Sequence, residues 1–542
     1  MKKYLLTLCL LTLALGGLAQ RKENAKAIIS RNLEIFNDIY KQLDLYYVDS
    51  LSADTVIGWG IDAMLHRLDP FTDYYPENDD ELRQMATGKY AGIGSVIRFS
   101  KKDDRTMISQ PYDETPSAKV GLKAGDLIMT IDGKDVKGMP IDKVSSMLRG
   151  ESGTTFELCV LRDGKEHSFK ITRQTIQTPQ VPYYGLLREG IGYIYLTGFT
   201  DGASREVKKA LVDLKAQGAK SLVLDLRENP GGALNEAVDI TNLFVPKGKK
   251  VVYTKGKMTS VNREYHTASE PVDTEMPIAV LVDGGTASSA EIVSGSLQDM
   301  DRAIVVGTRT YGKGLVQMIR DLPYRGNLKI TTSHYYIPSG RCIQAHNYKH
   351  DGTESIVPDS LTKVFHTANG REVRDGGGIK PDIEVKPDSL PTLIYDLTAS
   401  DAFFDFATQY TNKHQSIAPA GQFRLTDEDY DQFVNYVKEF GFTYNRRTEE
   451  VLKLLQDVAK REGYMDTARE EIEALKAKLS NDISTDLQRF RKEIEPYICD
   501  EIAQRYYGVR GGVQQQLVND PCLDKALELL TSPEEYKKIL QP

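Results

Sequence analysis

Cysteine, tryptophan and histidine are scarce in this chain of 542 residues, which has five Cys, one Trp and eight His. No Cys-x-x-Cys pair occurs and the histidines are scattered, so neither a disulfide-rich scaffold nor a regularly spaced metal site is indicated. Excess positive charge is also absent, because 69 Lys and Arg face 77 Asp and Glu, for a net charge of −8. Such a chain lacks the basic surface that binds nucleic acid. Its length and composition are typical of a globular protein with about three or four domains.

Long apolar runs are missing too, except at the N-terminus. Two lysines precede an apolar run from Leu5 to Leu15, and Gly17-Leu18-Ala19 supplies the small residues of a cleavage site. The pattern predicts a secretory signal peptide over residues 1–19, since the run is too short to span a bilayer. Gln20, which follows, is not the cysteine that lipid attachment requires. We therefore expect an exported protein of the periplasm or cell envelope, with no stable membrane span.

The remaining cysteines would meet an oxidising compartment after export. Cys499 and Cys522 lie in the same terminal region and are able to pair there. Cys159 and Cys342 fall in different predicted domains, so we interpret them as free, buried thiols.

Between residues 25 and 86, apolar residues recur at helical spacing. Leu33, Phe36 and Ile39 belong to one such stripe, and a second follows before Asp69-Pro70. Two or three helices are predicted here, and we interpret them as a packing domain without chemistry of its own.

The pattern changes to strand-like alternation between residues 88 and 175. Alternating apolar residues on both sides of the Asp163-Gly164 turn predict a β-hairpin, and a single helix fits from Ile141 to Leu148. Near the start of this mostly β module, Gly92-Ile93-Gly94 directly precedes a strand. The N–H groups of such a turn form a nest for a carboxylate, and the strand offers an open edge to a peptide.

Four elements of this module resemble a PDZ domain of the bacterial protease type: Gly92-Ile93-Gly94, Pro116 to Leu122, Gly125 to Ile128, and Asp132-Gly133. A lone Gly-Ile-Gly is also an ordinary tight turn, whereas the four elements in order are specific. The resemblance implies that Gly92, Ile93 and Gly94 bind the C-terminal carboxylate of another protein.

From about residue 190 to 395, predicted strands alternate with predicted helices. Apolar runs from Ser221 to Leu226, from Ile278 to Val282 and from Ala303 to Val306 are typical of buried strands. This βαβα order predicts a mainly parallel, layered sheet.

After about residue 420 the chain becomes richer in charge. Apolar residues from Ile472 to Ile494 step by three and four and stop at Pro496, which predicts one long amphipathic helix. We interpret its apolar stripe as packing against its own domain, with a coiled-coil contact as the alternative.

A candidate catalytic residue lies in the segment from Leu281 to Ile292. A strand runs into the turn Asp283-Gly284-Gly285 and then into a helix, which places Ser288 near a helix N-terminus. Ser288 and Glu291 match a capping box, so a structural role is one interpretation. The same geometry favours negative charge beside Ser288, because free N–H groups and the helix dipole converge there. The local pattern leaves both interpretations open.

A lysine, Lys313, follows between two glycines in the loop from Thr308 to Gly314. A lone lysine in a loop is usually solvated. To act as a general base near neutral pH, a lysine needs burial or a nearby like charge that lowers its pKa by about three units.

Together these segments resemble the C-terminal processing peptidases, or tail-specific proteases, a family of serine endopeptidases with a Ser/Lys dyad. The resemblance rests on segments in the family order: Leu68-Asp69-Pro70, the PDZ elements, Asp225 to Gly232, Gly285 to Ile292, Tyr311 to Gln317, Tyr336 to Arg341, and Gly378 to Asp382. It implies that Ser288 is the nucleophile and Lys313 the general base. It also implies that Gln317, one helical or loop turn beyond, helps to hold the lysine.

The same resemblance implies an oxyanion hole formed by the N–H groups of Gly231 or Gly232 and of Ser289. Glycine permits the close backbone approach that an oxyanion requires. One departure matters: the family run Ser-Ala-Ser-Glu reads Ser288-Ser289-Ala290-Glu291 here, so Ser289 is a rival nucleophile.

The resemblance implies a multidomain α/β protein, with a crotonase-like α/β protease core, a mostly β PDZ module and helical regions at both ends. The predicted parts are a signal peptide (1–19), an N-terminal helical region (20–87), a PDZ domain (88–176), a Ser/Lys peptidase core (177–400) and a C-terminal helical region (401–542). Neither a metal nor an organic cofactor is implied. Protein substrates bound by their C-termini are the expected partners, while an adaptor protein and a homo-oligomer stay open.

Two other functions compete with this interpretation. A scaffold that uses only its PDZ groove is one, although it would need neither Ser288 nor Lys313. A Ser/His mechanism with His266 or His334 as the base is the other, and no motif surrounds either histidine.

Overall fold

A computed structural model describes residues 26–76, 82, 84, 87–348, 353–387, 389–444, 446–479 and 482–541. The predicted signal peptide lies outside these residues. The chain divides into two compact units. The first takes its residues from 1–77, 317–331 and 348–354, and the second from 78–316, 332–347 and 355–542.

The first unit contains two helices near the N-terminus, as predicted, formed by residues 26–46 and Ala53–Leu65. Leu65 is buried, but Leu33 and Phe36 of the first helix remain 64% and 51% exposed. The helices are confirmed, whereas the expected packing of the first apolar stripe is not formed within the described residues.

The second unit begins with the β module (residues 88–176). Its main sheet follows the order Ser95–Ser100, Arg105–Pro111, Leu127–Ile131, Thr155–Arg162 and Lys165–Thr172, with Lys134–Asp135 paired to the third strand. Lys89–Gly92 and Gln174–Gln177 form a separate antiparallel pair. The helix Ile141–Leu148 has the predicted bounds, and its Val144 and Leu148 are buried in the core of the module. The hairpin at Asp163-Gly164 is confirmed.

A six-stranded central sheet forms the middle of the second unit. Its strands, in spatial order, are Tyr183–Leu186, Ile191–Tyr195, Ser221–Asp225, Ile278–Val282, Ile304–Gly307 and Ile383–Glu384. Every pair is parallel except the first, so the predicted mainly parallel sheet is confirmed. Successive residues of a strand point to opposite faces, and both faces are buried. One face packs on the helices Ala203–Ala216, Leu234–Asn242 and Ser289–Asp299.

The other face of the central sheet is covered by the C-terminal helices Pro521–Thr531 and Pro533–Leu540. The Tyr536 hydroxyl accepts the N–H of Ile278 at 2.9 Å and donates to its carbonyl oxygen at 3.0 Å. The C-terminal helices, for which the sequence suggests no role, therefore complete the core of the sheet.

The sequence pattern does not predict the second sheet, which contains Lys250–Gly256, Arg263–His266, Leu315–Asp321 and Asn327–Tyr336. The last of these strands contributes to both units. In the first unit its start pairs with Asp73–Tyr75, and in the second unit its end pairs with Lys250–Gly256. Four further short strands are His346–Tyr348, Glu354–Ile356, Val364–His366 and Glu372–Arg374.

The helices between the central sheet and the C-terminal pair are Thr392–Ala399, Ala402–Lys413, Asp427–Glu439, Arg447–Arg461, Arg469–Leu479, Ile483–Arg489 and Arg491–Gln516. The prediction of one helix from Ile472 to Ile494 is therefore wrong. Asp482 starts a new helix, because its side chain accepts the N–H of Thr485 at 2.8 Å. Pro496 does not end a helix but lies inside the last of them, which is interrupted instead at Gly508, where φ is 65°.

Leu487 and Ile494 are buried in a core that the C-terminal helical region forms together with the helix Thr392–Ala399. This part of the apolar stripe therefore packs against its own region, as predicted. Cys499 is buried in the same core, whereas Cys522 packs beside the central sheet. The pairing that the sequence left open between them is not formed, because the two thiols belong to different cores. The free cysteines are Cys159, Cys342, Cys499 and Cys522, and the first two are only partly buried.

Tyr536→Phe tests whether the C-terminal helices stabilise the central sheet. The change leaves the buried N–H of Ile278 without its acceptor, so we expect the free energy of unfolding to fall by about 1–3 kcal/mol. Urea denaturation followed by circular dichroism measures this fall. Tyr324→Phe is the control, because that side chain is 97% exposed, and it should change the value by less than about 0.5 kcal/mol. Equal stability of the two variants would contradict this role.

Candidate active site

Ser288 lies at the sharp turn between the strand Ile278–Val282 and the helix Ser289–Asp299. Its backbone has φ 54° and ψ −114°, a conformation that costs a non-glycine residue about 1–3 kcal/mol. Hydrogen bonds to its N–H and to its carbonyl hold it there. The Ser288 N–H donates to the Glu291 carboxylate at 2.8 Å, and the Ser288 carbonyl accepts from the Tyr335 hydroxyl at 3.1 Å. The strained turn presents a half-buried serine at the end of the central sheet.

The turn before Ser288 is organised by Asp283. Its Oδ1 accepts the N–H groups of Gly285 at 2.9 Å and of Thr286 at 3.1 Å, as in an Asx turn. The Thr286 hydroxyl donates to the carbonyl of Leu226 at 2.8 Å. We call residues 283–288 the serine turn. The bond from Thr286 joins this turn to the neighbouring strand Ser221–Asp225 and to the loop that follows that strand.

The Glu291 carboxylate is fully buried and accepts four hydrogen bonds. Oε2 accepts the N–H groups of Ser288 at 2.8 Å and of Lys313 at 2.9 Å. Oε1 accepts the N–H of Gly312 at 2.8 Å and the hydroxyl of Thr310 at 2.5 Å. Burial raises the pKa of Glu291 to about 7, and the four hydrogen bonds oppose that rise. One carboxylate therefore joins the serine turn to the loop from Thr308 to Gly314, which we call the lysine loop.

Thr310 is held in turn by Ile379. The Thr310 N–H donates to the Ile379 carbonyl at 3.1 Å, and the Ile379 N–H donates to the Thr310 hydroxyl at 2.6 Å. Gly378 has φ 71°, and a Cβ there would lie 2.6 Å from the Thr310 carbonyl oxygen. The close approach of these two segments therefore requires glycine.

Lys313 is half-buried and belongs to the same unit as Ser288. The preceding Gly312 has φ 87°, and a Cβ there would meet the Ala345 side chain at 2.4 Å. Glycine thus lets the loop pass close to Ala345. Together with the oxygen of Glu291 that Ser288 and Lys313 share, this packing brings the lysine loop beside the serine turn.

Ser289, the rival nucleophile, is 1% exposed, and its hydroxyl donates to the carbonyl of Gly232 at 2.8 Å. A hydroxyl buried and bonded in this way is not presented to a substrate. The geometry favours Ser288.

The loop that contains Gly231 and Gly232 lies directly against Ser288. A Cβ on Gly231 would come within 2.8 Å of the Ser288 Cβ. The Gly231 N–H already donates to Asn229 Oδ1 at 2.9 Å. Among the described residues, the N–H groups of Gly232 and Ser289 have no hydrogen-bond acceptor. Of the three predicted oxyanion residues, these two have available donors.

Gln317 lies in the strand Leu315–Asp321, not in the helical or loop turn expected for it, and it belongs to the first unit. Its Nε2 donates to the Thr331 hydroxyl at 3.1 Å, which donates to Asp69 Oδ1 at 3.1 Å. The Asp69 carboxylate also accepts the Thr72 hydroxyl at 3.0 Å. Asp69 therefore orients the amide of Gln317 through Thr331.

The alternative histidine bases lie elsewhere in the second sheet. His266 is exposed, and its Nε2 lies 3.7 Å from the Glu264 carboxylate. Partial burial lowers the pKa of His334. In the described part of the chain, no hydrogen bond links either imidazole to Ser288.

The predicted carboxylate nest at Gly92-Ile93-Gly94 lies directly before the strand Ser95–Ser100. Gly94 has φ 76°, and its carbonyl accepts the hydroxyls of Thr115 at 3.0 Å and Ser117 at 2.7 Å. The N–H groups of Ile93 and Gly94 have no acceptor among the described residues. The following strand, Ser95–Ser100, is at the edge of its sheet. An open edge beside two free N–H groups suits an extended peptide with a terminal carboxylate.

Sequence patterns miss several residues that position the site. The sequence analysis includes Asp69 only as part of a family motif and assigns it no role. No sequence pattern predicts that Thr310 and Tyr335 position the site. Within the described ranges, no group of three or more His, Cys, Asp or Glu side chains is suited to a metal ion. The helices of those ranges include none with the length and apolar character needed to cross a bilayer.

Comparisons with known proteins match three parts of the chain. Residues 190–360 match the family described as peptidase family S41, residues 93–172 match the PDZ domain, and residues 393–530 match a probable PDZ-protease C-terminal helical domain. A carboxy-terminal-processing protease of Bartonella bacilliformis is 36% identical over 321 residues, which are 58% of this chain and 73% of that protein. A probable CtpA-like serine protease of Staphylococcus aureus is 31% identical over 434 residues, 79% of this chain and 85% of that one. Among solved structures, a photosystem II D1 C-terminal processing protease is 26% identical, and the match covers 66% of this chain and 94% of the other with a TM-score of 0.35.

Glu291→Gln removes the charge of the buried carboxylate while keeping its size. Because burial raises the pKa of Glu291 from 4.5 to about 7, ionisation of this group lowers stability as the pH rises through that interval. The unfolding free energy of the unsubstituted protein minus that of the variant should therefore fall between pH 4.5 and 7 and stay level above pH 7. Urea titrations at several pH values measure this difference.

Glu166→Gln, at an exposed residue of the β module, is the matched control. Its unfolding free energy should differ from that of the unsubstituted protein by less than about 0.5 kcal/mol at each pH. A difference for Glu291→Gln that does not change between pH 4.5 and 7 would contradict the raised pKa of Glu291.

Proposed function

The chain belongs to peptidase family S41, and we propose that it is an exported serine endopeptidase that cuts proteins recognised by their C-termini, with Ser288 and Lys313 as its catalytic dyad. It is a serine protease of the carboxy-terminal-processing type and contains a PDZ domain. We assign residues 88–176 to that domain and residues 177–400 to the peptidase core. The parallel sheet packed on helices supports a crotonase-like core.

One observation carries the proposal. The N–H groups of Ser288 and Lys313 donate to the same oxygen of Glu291, at 2.8 and 2.9 Å. Two residues that share one buried acceptor are held side by side. The strained backbone of Ser288 adds to this support, since strain of this kind persists only where the surrounding structure imposes it.

In the proposed reaction, neutral Lys313 takes the proton of the Ser288 hydroxyl as Oγ attacks the carbonyl carbon of the peptide bond. The N–H groups of Gly232 and Ser289 stabilise the charge that develops on the carbonyl oxygen. The C–N bond then breaks, the amine leaves with the proton from Lys313, and an acyl ester remains on Ser288. Water attacks this ester, with Lys313 again taking and returning a proton, and the product acid is released.

We assign Gln317 the role of helping to hold the lysine. Its Nε2 donates to the Thr331 hydroxyl, which in turn donates to Asp69, and this fixed orientation of the amide supports the assignment. With Nε2 engaged in this way, Oε1 is the amide atom left to accept a hydrogen bond from a cation.

The PDZ domain binds the substrate C-terminus in this proposal. The free N–H groups of Ile93 and Gly94 receive the carboxylate, and the edge strand Ser95–Ser100 pairs with the residues before it. Export through the signal peptide at residues 1–19 places the enzyme in the periplasm or cell envelope.

Ser288→Ala should lower cleavage by at least about 1,000-fold, because it removes the attacking oxygen, whereas Ser289→Ala should retain most activity. The assay incubates the mature protein with unfolded substrates and maps the products by mass spectrometry. Circular dichroism verifies that both variants fold. Full activity in Ser288→Ala would refute the choice of nucleophile.

Lys313→Arg tests whether cleavage requires a base at position 313 or only a positive charge. Arginine keeps the charge but cannot give up its proton at working pH, so the variant should be nearly as inactive as Lys313→Ala. In the unsubstituted enzyme, activity should rise with pH until the lysine is neutral. An Arg variant that cleaves well would show that charge suffices and that Lys313 is not a base.

Gly94→Leu should weaken binding of peptides with a free C-terminus at least about tenfold, because a Cβ at Gly94 would lie 2.4 Å from the Thr115 side chain. Isothermal titration calorimetry in the Ser288→Ala background measures this without cleavage. Gly121→Ala is the control, since Gly121 also has positive φ, at 83°, but open space around it. If the protein with glycine at position 94 binds peptides with free and with amidated C-termini equally well, the carboxylate is not what it recognises.

A further inference from the structure

The lysine loop has a second support, supplied by residues 344–346 of the same unit. The N–H of Gly314 donates to Gln344 Oε1 at 2.6 Å, and Gln344 Nε2 donates to the carbonyl of His346 at 2.7 Å. The Gln344 amide thus uses its acceptor on the lysine loop and its donor on its own segment. This double use also sets which way the amide faces.

The two residues after Gln344 contact the other end of the loop. The Ala345 N–H donates to the Gly312 carbonyl at 2.9 Å. The His346 ring nitrogen Nε2 lies 2.9 Å from the Tyr311 carbonyl oxygen, and the two rings stack with centroids 4.6 Å apart. Three consecutive residues therefore contact the chain on both sides of Lys313.

The loop needs such support because it is flanked by glycines. Glycine has the largest backbone freedom of any residue, whereas a general base must hold its position to a fraction of an ångström. Glu291 holds the N–H groups of Gly312 and Lys313. The C-terminal flank, at Gly314, is held by the Gln344 side chain.

We propose that Gln344 is a positioning residue for Lys313, which it directs toward Ser288 by holding the N–H of Gly314. The inference rests on the proposed dyad and deepens it. Neither Ala345 nor the His346 ring can replace Gln344, because they contact Gly312 and Tyr311 instead of Gly314. A side chain that lacks an acceptor at this position leaves Gly314 without its partner and the lysine free to turn away.

Two substitutions at Gln344 test this role. Gln344→Met keeps the length but removes both hydrogen bonds, so kcat should fall about 10- to 100-fold while KM changes less than about threefold. Gln344→Glu keeps an acceptor for Gly314 and adds a negative charge beside the loop. That charge holds the proton on the lysine more tightly, so the rising limb of activity should move by about one unit to higher pH. Both parameters are measured with a peptide substrate from pH 6 to 10.

Gln515→Met is the matched control. Gln515 also accepts a glycine N–H, that of Gly421 at 2.9 Å, and donates to a carbonyl, that of Phe423 at 3.1 Å, but it does so in the C-terminal helical region. Its loss should leave kcat and the pH limb unchanged. If Gln344→Met does not fold, as judged by circular dichroism, the pH limb of Gln344→Glu decides alone.

A Gln344→Met enzyme with kcat within threefold of normal, or a Gln344→Glu enzyme with an unmoved pH limb, would overturn the positioning role. Ser288→Ala in the same assay tests the dyad separately. An inactive Ser288→Ala beside a fully active Gln344→Met overturns only the role of Gln344, whereas an active Ser288→Ala overturns the dyad itself.

Discussion

A buried carboxylate with four hydrogen-bond donors is the interaction on which the geometry of the site depends. Glu291 has lost all contact with water, and a carboxylate is stable in such a place only when protein donors replace the lost hydration. The donors come from the serine turn and from the lysine loop, so neither segment can move without leaving charge unpaired. Loss of one donor removes part of what replaces the lost hydration of the carboxylate. The turn, the loop and the first turn of the helix Ser289–Asp299 are therefore stabilised as one assembly.

The second constraint is that both faces of the central sheet must be covered. Strands buried on two sides need a layer on each, and the chain supplies the second layer from its last helices. The helix Arg491–Gln516 extends this arrangement, because Gln514 lies against Tyr183 at the sheet edge while Gln504 donates to Gln110 of the PDZ domain at 2.8 Å. The C-terminal region is thus packed against both the peptidase core and the PDZ domain. A peptidase core cut free of these helices would expose one face of its sheet.

Local sequence patterns predicted the helices and turns that depend on a few neighbouring residues. Helical spacing located Ile141–Leu148, and the Asp163-Gly164 turn located a hairpin, because both signals lie within a few residues. The capping box predicted for Ser288 and Glu291 is confirmed. The three other donors to Glu291, from Thr310, Gly312 and Lys313, come from a distant loop that no local pattern connects to it. The wrong prediction at Pro496 has the same origin, since the helix that it was expected to stop continues through it. Whether Cys499 and Cys522 pair was left open by the sequence for the same reason, because only the tertiary fold places them in different cores. The family motifs indicate the candidate site residues, while the partners of those residues depend on the tertiary fold.

Covalent labelling with a fluorophosphonate tests most directly whether Ser288 is a nucleophile activated by Lys313. Peptide mapping by mass spectrometry should locate one phosphonyl adduct, on Ser288, and the labelling rate should rise with pH as the lysine loses its proton. Lys313→Ala should slow the labelling at least about 100-fold, because the hydroxyl then has no base, while Ser289→Ala should label at the normal rate. An adduct on Ser289, or an unchanged rate in Lys313→Ala, would contradict the dyad.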